Sequence, residues 1–192
     1  MVPIYSGNGE GLGYSFDDFL RRFEVICREH KETGRAQAFA FILYDFYNDA
    51  LRQALQLQGG FARLDRLTGH DVSVFYLNSS DLEIFEQFNE IFLYAFEIDN
   101  QYRLPLVVFF DFEDDDVKEV TIAELYEDHA AFSFNELFTI FQNRLQRMQQ
   151  TQPPVKKRSK FWSILKSTGG KVADKALEVI FSKIAEKLTN GH

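Results

Sequence analysis

The sequence predicts an α/β domain built on a mixed central β-sheet and followed by a basic helical tail. Two observations predict the domain: apolar runs of strand length alternate with segments of helical periodicity, and the last two strands follow each other without a helix between them. The distribution of charge predicts the tail. Residues 155–192 contain nine basic and three acidic residues, a net charge of +6, whereas residues 1–154 carry a net charge of −14. Such asymmetry is typical of an interaction tail.

Composition narrows the class of protein further. With 192 residues and 21 phenylalanines, the chain suits one domain with a ring-rich core plus an appendage. Its single cysteine, Cys27, rules out a disulfide or a CxxC pair within the chain and is expected in the core. No secretion signal and no run of about 18 apolar residues is visible. We therefore expect a cytoplasmic protein, and the acidity of the domain argues against nucleic-acid binding.

The N-terminal third predicts a lead, a helix and a strand. Residues 1–14 are expected to form a flexible lead, because they include the glycine-rich stretch SGNGEGLG. A capping box of Ser15 and Asp18 opens a helix predicted over 15–31. Its buried face holds six residues at helical spacing, namely Phe16, Phe19, Leu20, Phe23, Ile26 and Cys27. The apolar run 36–44 then predicts a strand buried on both faces.

The centre of the chain predicts a helix and a second buried strand. The helix covers 48–67 and begins at Asn48, whereas Gly59 and Gly60 predict a kink or break within it. The apolar run 71–77 predicts the strand. Two strand–helix–strand units in succession imply parallel strands joined by right-handed crossovers.

The remaining elements complete the domain, which is expected to span 15–150. A second capping box, Ser80 with Glu83, opens a helix over 81–97. Strands are predicted over 104–112 and 117–125, and a short turn between them makes a hairpin. A last helix is expected to open at a third box, Ser133 with Glu136.

This order of elements, with Pro105 at the entrance of the third strand, resembles the thioredoxin-like fold over roughly 15–150. The resemblance implies a three-layer αβα sandwich with a mixed central sheet, and a cis peptide bond before Pro105, which would face the active-site loop. In redox-active members a CxxC motif follows the first central strand. Here the matching stretch, 44–49, has neither a cysteine nor a serine, so the resemblance implies a member without thiol–disulfide exchange.

The same resemblance suggests a binding groove for a peptide beside Pro105. Its expected residues are Tyr44, Asp45, Phe46, Tyr47 and Pro105. Core packing of some of these rings is an equally open alternative. Glutathione transfer or peroxide chemistry is a rival interpretation, which depends on Tyr44 or Tyr47 in place of the usual cysteine or serine.

No other pattern defines a reaction, and no catalytic residue, metal ligand or cofactor is predicted. The acidic stretch 113–116 lacks the spacing of a calcium loop and is expected to be a solvated turn. Asp45 and Asp71 lie near strand ends, where a parallel sheet could present both to one cleft, although structural capping is the favoured interpretation. The histidines are dispersed and are mostly expected at the surface or in turns; they are His30, His70, His129 and His192.

Residues 151–192 are predicted to be a basic linker followed by an amphipathic helical tail. Pro153 and Pro154 close the domain. A cationic stretch with interspersed apolar residues follows, comprising Lys156, Lys157, Arg158, Lys160, Phe161, Trp162, Ile164 and Leu165. Such a composition suits an anionic membrane surface.

The last segment predicts a helix with a narrow apolar face. That face includes Leu177, Ile180, Phe181, Ile184 and Leu188. Its opposite face mixes lysines with acids, which favours docking on protein, in the same chain, a second copy or a partner. We expect a non-enzymatic adaptor or effector subunit that engages a protein partner, its own copy or a membrane surface through the tail, with a bacterial defence-type system as one setting. A membrane-permeabilising effector is a further alternative.

Overall fold

The computed structural model describes residues 1–6, 13–45, 47–56, 59–98, 102–126 and 130–149. Within these ranges the chain forms a mixed α/β domain with six strands and five helices. The predicted linker and tail, 151–192, lie outside the described residues, and so do Phe46 and His129. None of the described helices is both long and apolar enough to cross a membrane.

The elements follow the predicted order with two short strands added at the N-terminus. The strands are β1 Val2–Tyr5, β2 Tyr14–Ser15, β3 Ala38–Leu43, β4 Val72–Asn78, β5 Leu106–Glu113 and β6 Asp116–Glu124. The helices are α1 Phe16–Glu32, α2 Asp49–Gln56, α3 Gly60–Thr68, α4 Leu82–Ala95 and α5 Ala130–Gln149.

The strands form one sheet in the order β2-β1-β4-β3-β5-β6. The first four strands are mutually parallel, whereas β5 runs antiparallel to both β3 and β6. The predicted hairpin is therefore confirmed, and its turn places Asp114 and Asp115 at positive φ angles of 51° and 57°. The Leu104–Pro105 peptide bond is cis, as expected.

The prediction of a flexible lead over 1–14 is wrong for its first residues. Val2–Tyr5 pairs with β2 on one side and β4 on the other, and Val2 and Ile4 are only 4% and 0% exposed. Local pattern argues against this strand because it has four residues and contains Pro3. Pairing with β4, which is distant in sequence, decides its position.

Helices cover both faces of the sheet. Successive strand residues point to opposite sides, so neighbouring side chains of one strand pack against different helices. Phe110 of β5 packs against Phe23 of α1, with ring centroids 5.9 Å apart. Its neighbour Phe109 packs edge-on against Phe141 of α5 at 5.0 Å. Helix α4 shares the α1 face, where Phe92 contacts Phe19. Helices α2 and α3 contact α5 on the other face.

The core is rich in aromatic rings, as the composition predicts. Rings on the α1 side include Phe19, Phe23, Phe41, Phe75 and Phe92, all buried and in mutual contact. Cys27 is also fully buried there, and burial raises the pKa of its thiol well above its usual range. Its predicted core position is confirmed.

One predicted helix boundary is confirmed and another is wrong. The break at the paired glycines is confirmed, since α2 ends before Gly59, whose φ is 66°, and α3 begins at Gly60. The second capping box is wrong by one residue. Asp81 rather than Ser80 caps α4, because its Oδ1 accepts a hydrogen bond of 2.9 Å from the Glu83 backbone N–H. Aspartate and serine are about equally good caps.

Candidate binding groove

A cavity of about 490 Å³ lies where the loop before α2, the entrance of β5, the end of β6 and the first turns of α5 meet. We call it the groove and define it by six of its lining residues: Tyr47, Leu51, Arg103, Pro105, Leu125 and Tyr126. A volume of this order accommodates a small ligand or a few side chains of a peptide. The structure thus brings Tyr47 and Pro105 together, as the resemblance implies.

Two tyrosine rings line the groove while facing solvent. Tyr47 is 75% exposed and Tyr126 is 73% exposed. Most of the described aromatic rings are buried, and these two are the most exposed among them. Exposed tyrosines supply rigid contact area and a polar hydroxyl, which is why they are enriched in binding surfaces.

Tyr126 is held in place by two glutamates. Its backbone N–H donates to the Glu136 carboxylate at 2.9 Å, and its hydroxyl donates to Glu124 Oε2 at 2.7 Å. The hydrogen bond to Glu124 raises the pKa of the tyrosine. The Arg103 backbone N–H donates to the other oxygen of Glu124 at 2.8 Å and, with the tyrosine hydroxyl, lowers the pKa of that carboxyl. The ring is thereby pre-positioned at the rim.

A compact turn presents Tyr47. The Tyr47 backbone N–H donates to Asp45 Oδ1, and the Asp45 backbone N–H donates to Asn48 Oδ1, both at 2.9 Å. Asp45 is half-buried and shapes the turn. Its side chain is therefore committed to the backbone, as the sequence favoured.

The opposite wall joins the two ends of the hairpin. The Leu125 backbone N–H donates to the Pro105 carbonyl oxygen at 2.9 Å. Ser133, predicted to begin the last helix, lies inside α5, is buried and lines the cavity. The predicted partner of that box, Glu136, instead accepts from Tyr126, so the third capping box is wrong.

Tyr44 was expected in the groove but belongs to the core. It is 1% exposed, and its hydroxyl donates to the Leu77 carbonyl oxygen at 2.6 Å. Its own carbonyl oxygen accepts from Asn89 Nδ2 at 3.0 Å, and burial raises the pKa of its hydroxyl. The ring packs edge-on against Phe85. Of the expected groove residues, Phe46 lies outside the described ranges.

Sequence reasoning missed Arg103, Leu125 and Tyr126. A signal for them existed in the predicted hairpin. Antiparallel strands return the end of the second strand to the start of the first, and the structure pairs Leu106 with Glu124. Residues just beyond that pair must therefore lie beside Pro105.

Asp45 and Asp71 do not share a cleft. Strands β3 and β4 run parallel with Ala38 opposite Val72. Asp45 follows the end of β3, whereas Asp71 precedes β4, so the two lie at opposite ends of the sheet. The backbone carbonyl of Asp71 accepts from Ala38 N–H at 3.0 Å, which is a structural role.

The expectation of surface histidines is wrong for His30. It is 3% exposed on α1, and its Nδ1 lies 2.8 Å from the Ser73 hydroxyl. Burial, with the nearby Arg35 charge, lowers its pKa to about 4, so the ring is neutral near pH 7. His70 is exposed beside a turn, as predicted, whereas His129 and His192 are not described.

The acidic turn pairs with lysine and arginine. Asp114 accepts from Lys118 at 2.8 Å, and Asp115 accepts from Arg28 of α1 at 2.8 Å. Both carboxylates remain mostly exposed, in keeping with a solvated turn. Across the described ranges, no group of three or more histidine, cysteine or carboxylate side chains is arranged to hold a metal ion.

Comparisons of the chain with protein-family models, with curated proteins and with solved structures found no match. The groove and the charge distribution of the chain are therefore the features that bear on function. Both are properties of named residues and can be tested by substitution.

Proposed function

We propose that the chain is a non-enzymatic, thioredoxin-like binding module, an adaptor or effector subunit whose groove holds a segment of protein. The observation that carries the proposal is the pair of exposed rings, Tyr47 and Tyr126, which line one cavity together with Pro105. Exposed aromatic rings that line a groove are a recurring means of peptide recognition. The cationic tail supplies a second contact, to protein or to a membrane surface.

The order of the strands supports the thioredoxin-like part of the proposal. Without the short β2, the sheet reads β1-β4-β3-β5-β6, with β5 alone antiparallel to the rest. Two crossover units followed by a hairpin make up the arrangement that the resemblance implies. The groove lies where β3 ends and β5 begins, which corresponds to the ligand face of that fold.

Residue chemistry favours binding over thiol exchange. The stretch 44–49 contains no cysteine, and Cys27 is buried on α1 with a raised thiol pKa. Thiol–disulfide exchange needs an accessible thiolate. Polar groups around the groove are engaged in turn and rim hydrogen bonds that hold its walls.

Selection from a random peptide display library tests the proposal. The full chain should enrich peptides that it binds, and a Tyr47→Ala/Tyr126→Ala double variant should bind them at least tenfold more weakly. Tyr94→Ala, on α4 against the other face of the sheet, is the matched control and should retain binding. If the double variant binds the selected peptides as well as the wild type does, the groove is not the binding site.

A glutathione-handling enzyme is the second candidate, favoured by one observation. The exposed Tyr47 and the guanidinium-bearing Arg103 line the same cavity, and glutathione is an anionic peptide. Retention of the full chain on glutathione resin, with a conjugating activity that Tyr47→Phe abolishes, would support this candidate. Absence of retention would exclude it and leave the binding module.

Vesicle experiments test whether the tail binds or permeabilises a membrane. Liposome flotation with anionic and with neutral vesicles measures membrane binding by the full chain, and dye leakage from the same vesicles measures permeabilisation. Binding to anionic vesicles without leakage would support a membrane contact. Leakage would support the permeabilising effector instead.

A further inference from the structure

Charged groups beside the groove bear on the sign of its occupant. None of the described lining residues is acidic, but three carboxylates, those of Asp45, Glu124 and Glu136, accept hydrogen bonds from the backbone N–H groups of lining residues. Arg103 is the one cation among the described residues that line the cavity. Tyrosine faces also attract cations and stack on other rings. A segment that combines lysine or arginine with aromatic side chains fits this surface.

This chain contains such a segment. Residues 156–166 include five basic residues and no acidic one, and Phe161 and Trp162 lie between them. The domain that carries the groove is strongly acidic, with a net charge of −14 over residues 1–154. Opposite charges increase the rate of encounter and favour this pairing over others.

Chain length determines which part of the tail can reach the groove. Ser133 lines the cavity at the start of α5, which ends at Gln149. A helix rises 1.5 Å per residue, so α5 ends about 24 Å away from the groove. An extended chain covers at most about 3.5 Å per residue. Pro153 can then return only about 14 Å, whereas Phe161 can return about 40 Å.

We infer that the groove receives the chain's own segment around Phe161 and Trp162, folded back from the end of α5. The inference rests on the proposed function, since it names the first occupant of the same groove. Tethering makes the segment an intramolecular ligand with an effective concentration of about a millimolar for a short flexible linker. An external partner must therefore displace it, which makes the tail an autoinhibitory contact.

Trp162 provides the readout, because it is the only tryptophan of the chain. Its emission in the full-length protein should be blue-shifted and protected from acrylamide quenching. Both signs of burial should be lost in the Tyr47→Ala/Tyr126→Ala variant and retained in Tyr94→Ala. Raising the salt to about 1 M, which shortens the Debye length to about 3 Å, should weaken them. Circular dichroism of each variant shows whether the domain is folded.

Three results would overturn the inference. One is a Trp162 that is solvent-exposed in the wild type. Another is a blue shift that rises with protein concentration, which would assign the groove to a second copy. The third is a shift that needs anionic phosphatidylserine vesicles, which would assign the segment to a membrane.

Peptide binding tests the proposed function separately from the autoinhibitory contact. Peptides from the display library should bind a Phe161→Ala/Trp162→Ala variant at least tenfold more tightly than the wild type, because the groove is vacated. Equal affinity of the wild type and this variant for the peptides would refute the autoinhibitory contact but leave the groove as a peptide-binding site. If neither protein bound any peptide of the library, the groove would be refuted as a binding site.

Discussion

Acid should destabilise this domain through His30, and His30→Gln should reduce that sensitivity. The imidazole is buried on α1, lies beside the rings of Phe39 and Phe75 at centroid distances of 6.5 and 6.1 Å, and shares a 2.8 Å hydrogen bond with Ser73. Burial is the largest cause that lowers its pKa from 6.5 to about 4, and the charge of Arg35 adds to it. Protonation in the folded state would place a cation among phenylalanine rings.

The sign and size follow from linkage. Because the folded pKa lies below the unfolded value, the unfolded chain binds the extra proton between pH 6.5 and about 4. The stability due to neutral His30 is therefore fully present above pH 6.5 and is lost as the pH falls through that window. A shift of this size corresponds to about 3 kcal/mol at 1.36 kcal/mol per pKa unit. Whole domains have only about 5–15 kcal/mol of stability.

Urea unfolding at about pH 7 and about pH 4 measures this contribution. Glutamine keeps a polar partner for Ser73 but does not titrate, so His30→Gln should be less stable at neutral pH yet lose about 3 kcal/mol less on acidification. His70→Gln, at an exposed position, is the control and should follow the wild type. Equal acid losses in the wild type and His30→Gln would refute the reasoning.

Three further predictions concern other described residues. Asp111→Asn should remove a loss of stability that the Asp111 carboxyl causes as the pH rises from about 4 to about 6, because burial and then the Glu119 carboxyl raise the folded pKa of Asp111 to about 6; urea unfolding of both proteins across that window measures the difference. Gly60→Ala should lower the free energy of unfolding by about 1–3 kcal/mol, since a Cβ would collide with the Ala54 carbonyl oxygen; chemical denaturation tests it, and no loss would contradict that contact. Tyr44→Phe should cost about 1–3 kcal/mol in the same assay by removing a buried hydrogen bond to the Leu77 carbonyl, while peptide binding stays unchanged.

Local pattern was sufficient wherever the apolar spacing is long and regular. The helix that begins after Ser15 and the strand 36–44 appear within a few residues of their predicted limits, with Cys27 in the core. A helical stripe or a continuous apolar run states which face is buried without reference to the rest of the chain. Capping residues were less reliable, because Asp81 and Ser80 are chemically equivalent choices.

The groove was only half predictable. Tyr47 and Pro105 were expected there from the resemblance, but Tyr44 turned out to be buried under Phe85. Neighbouring tyrosines at the end of a strand look alike in sequence. Which of them faces the core depends on the helix that packs above, and here α4 supplies Asn89 to bind the Tyr44 carbonyl.

The sequence by itself determined the order of the central elements, the ring-rich core, the absence of a thiol at 44–49 and the charge difference between domain and tail. Only the tertiary structure decided that Val2–Tyr5 is an inner strand, that His30 is buried and that Tyr126 lines the same groove as Tyr47. The physical reason is the range of the interactions. Periodicity records the environment of each face locally, whereas strand pairing and helix packing join residues that are far apart in the chain.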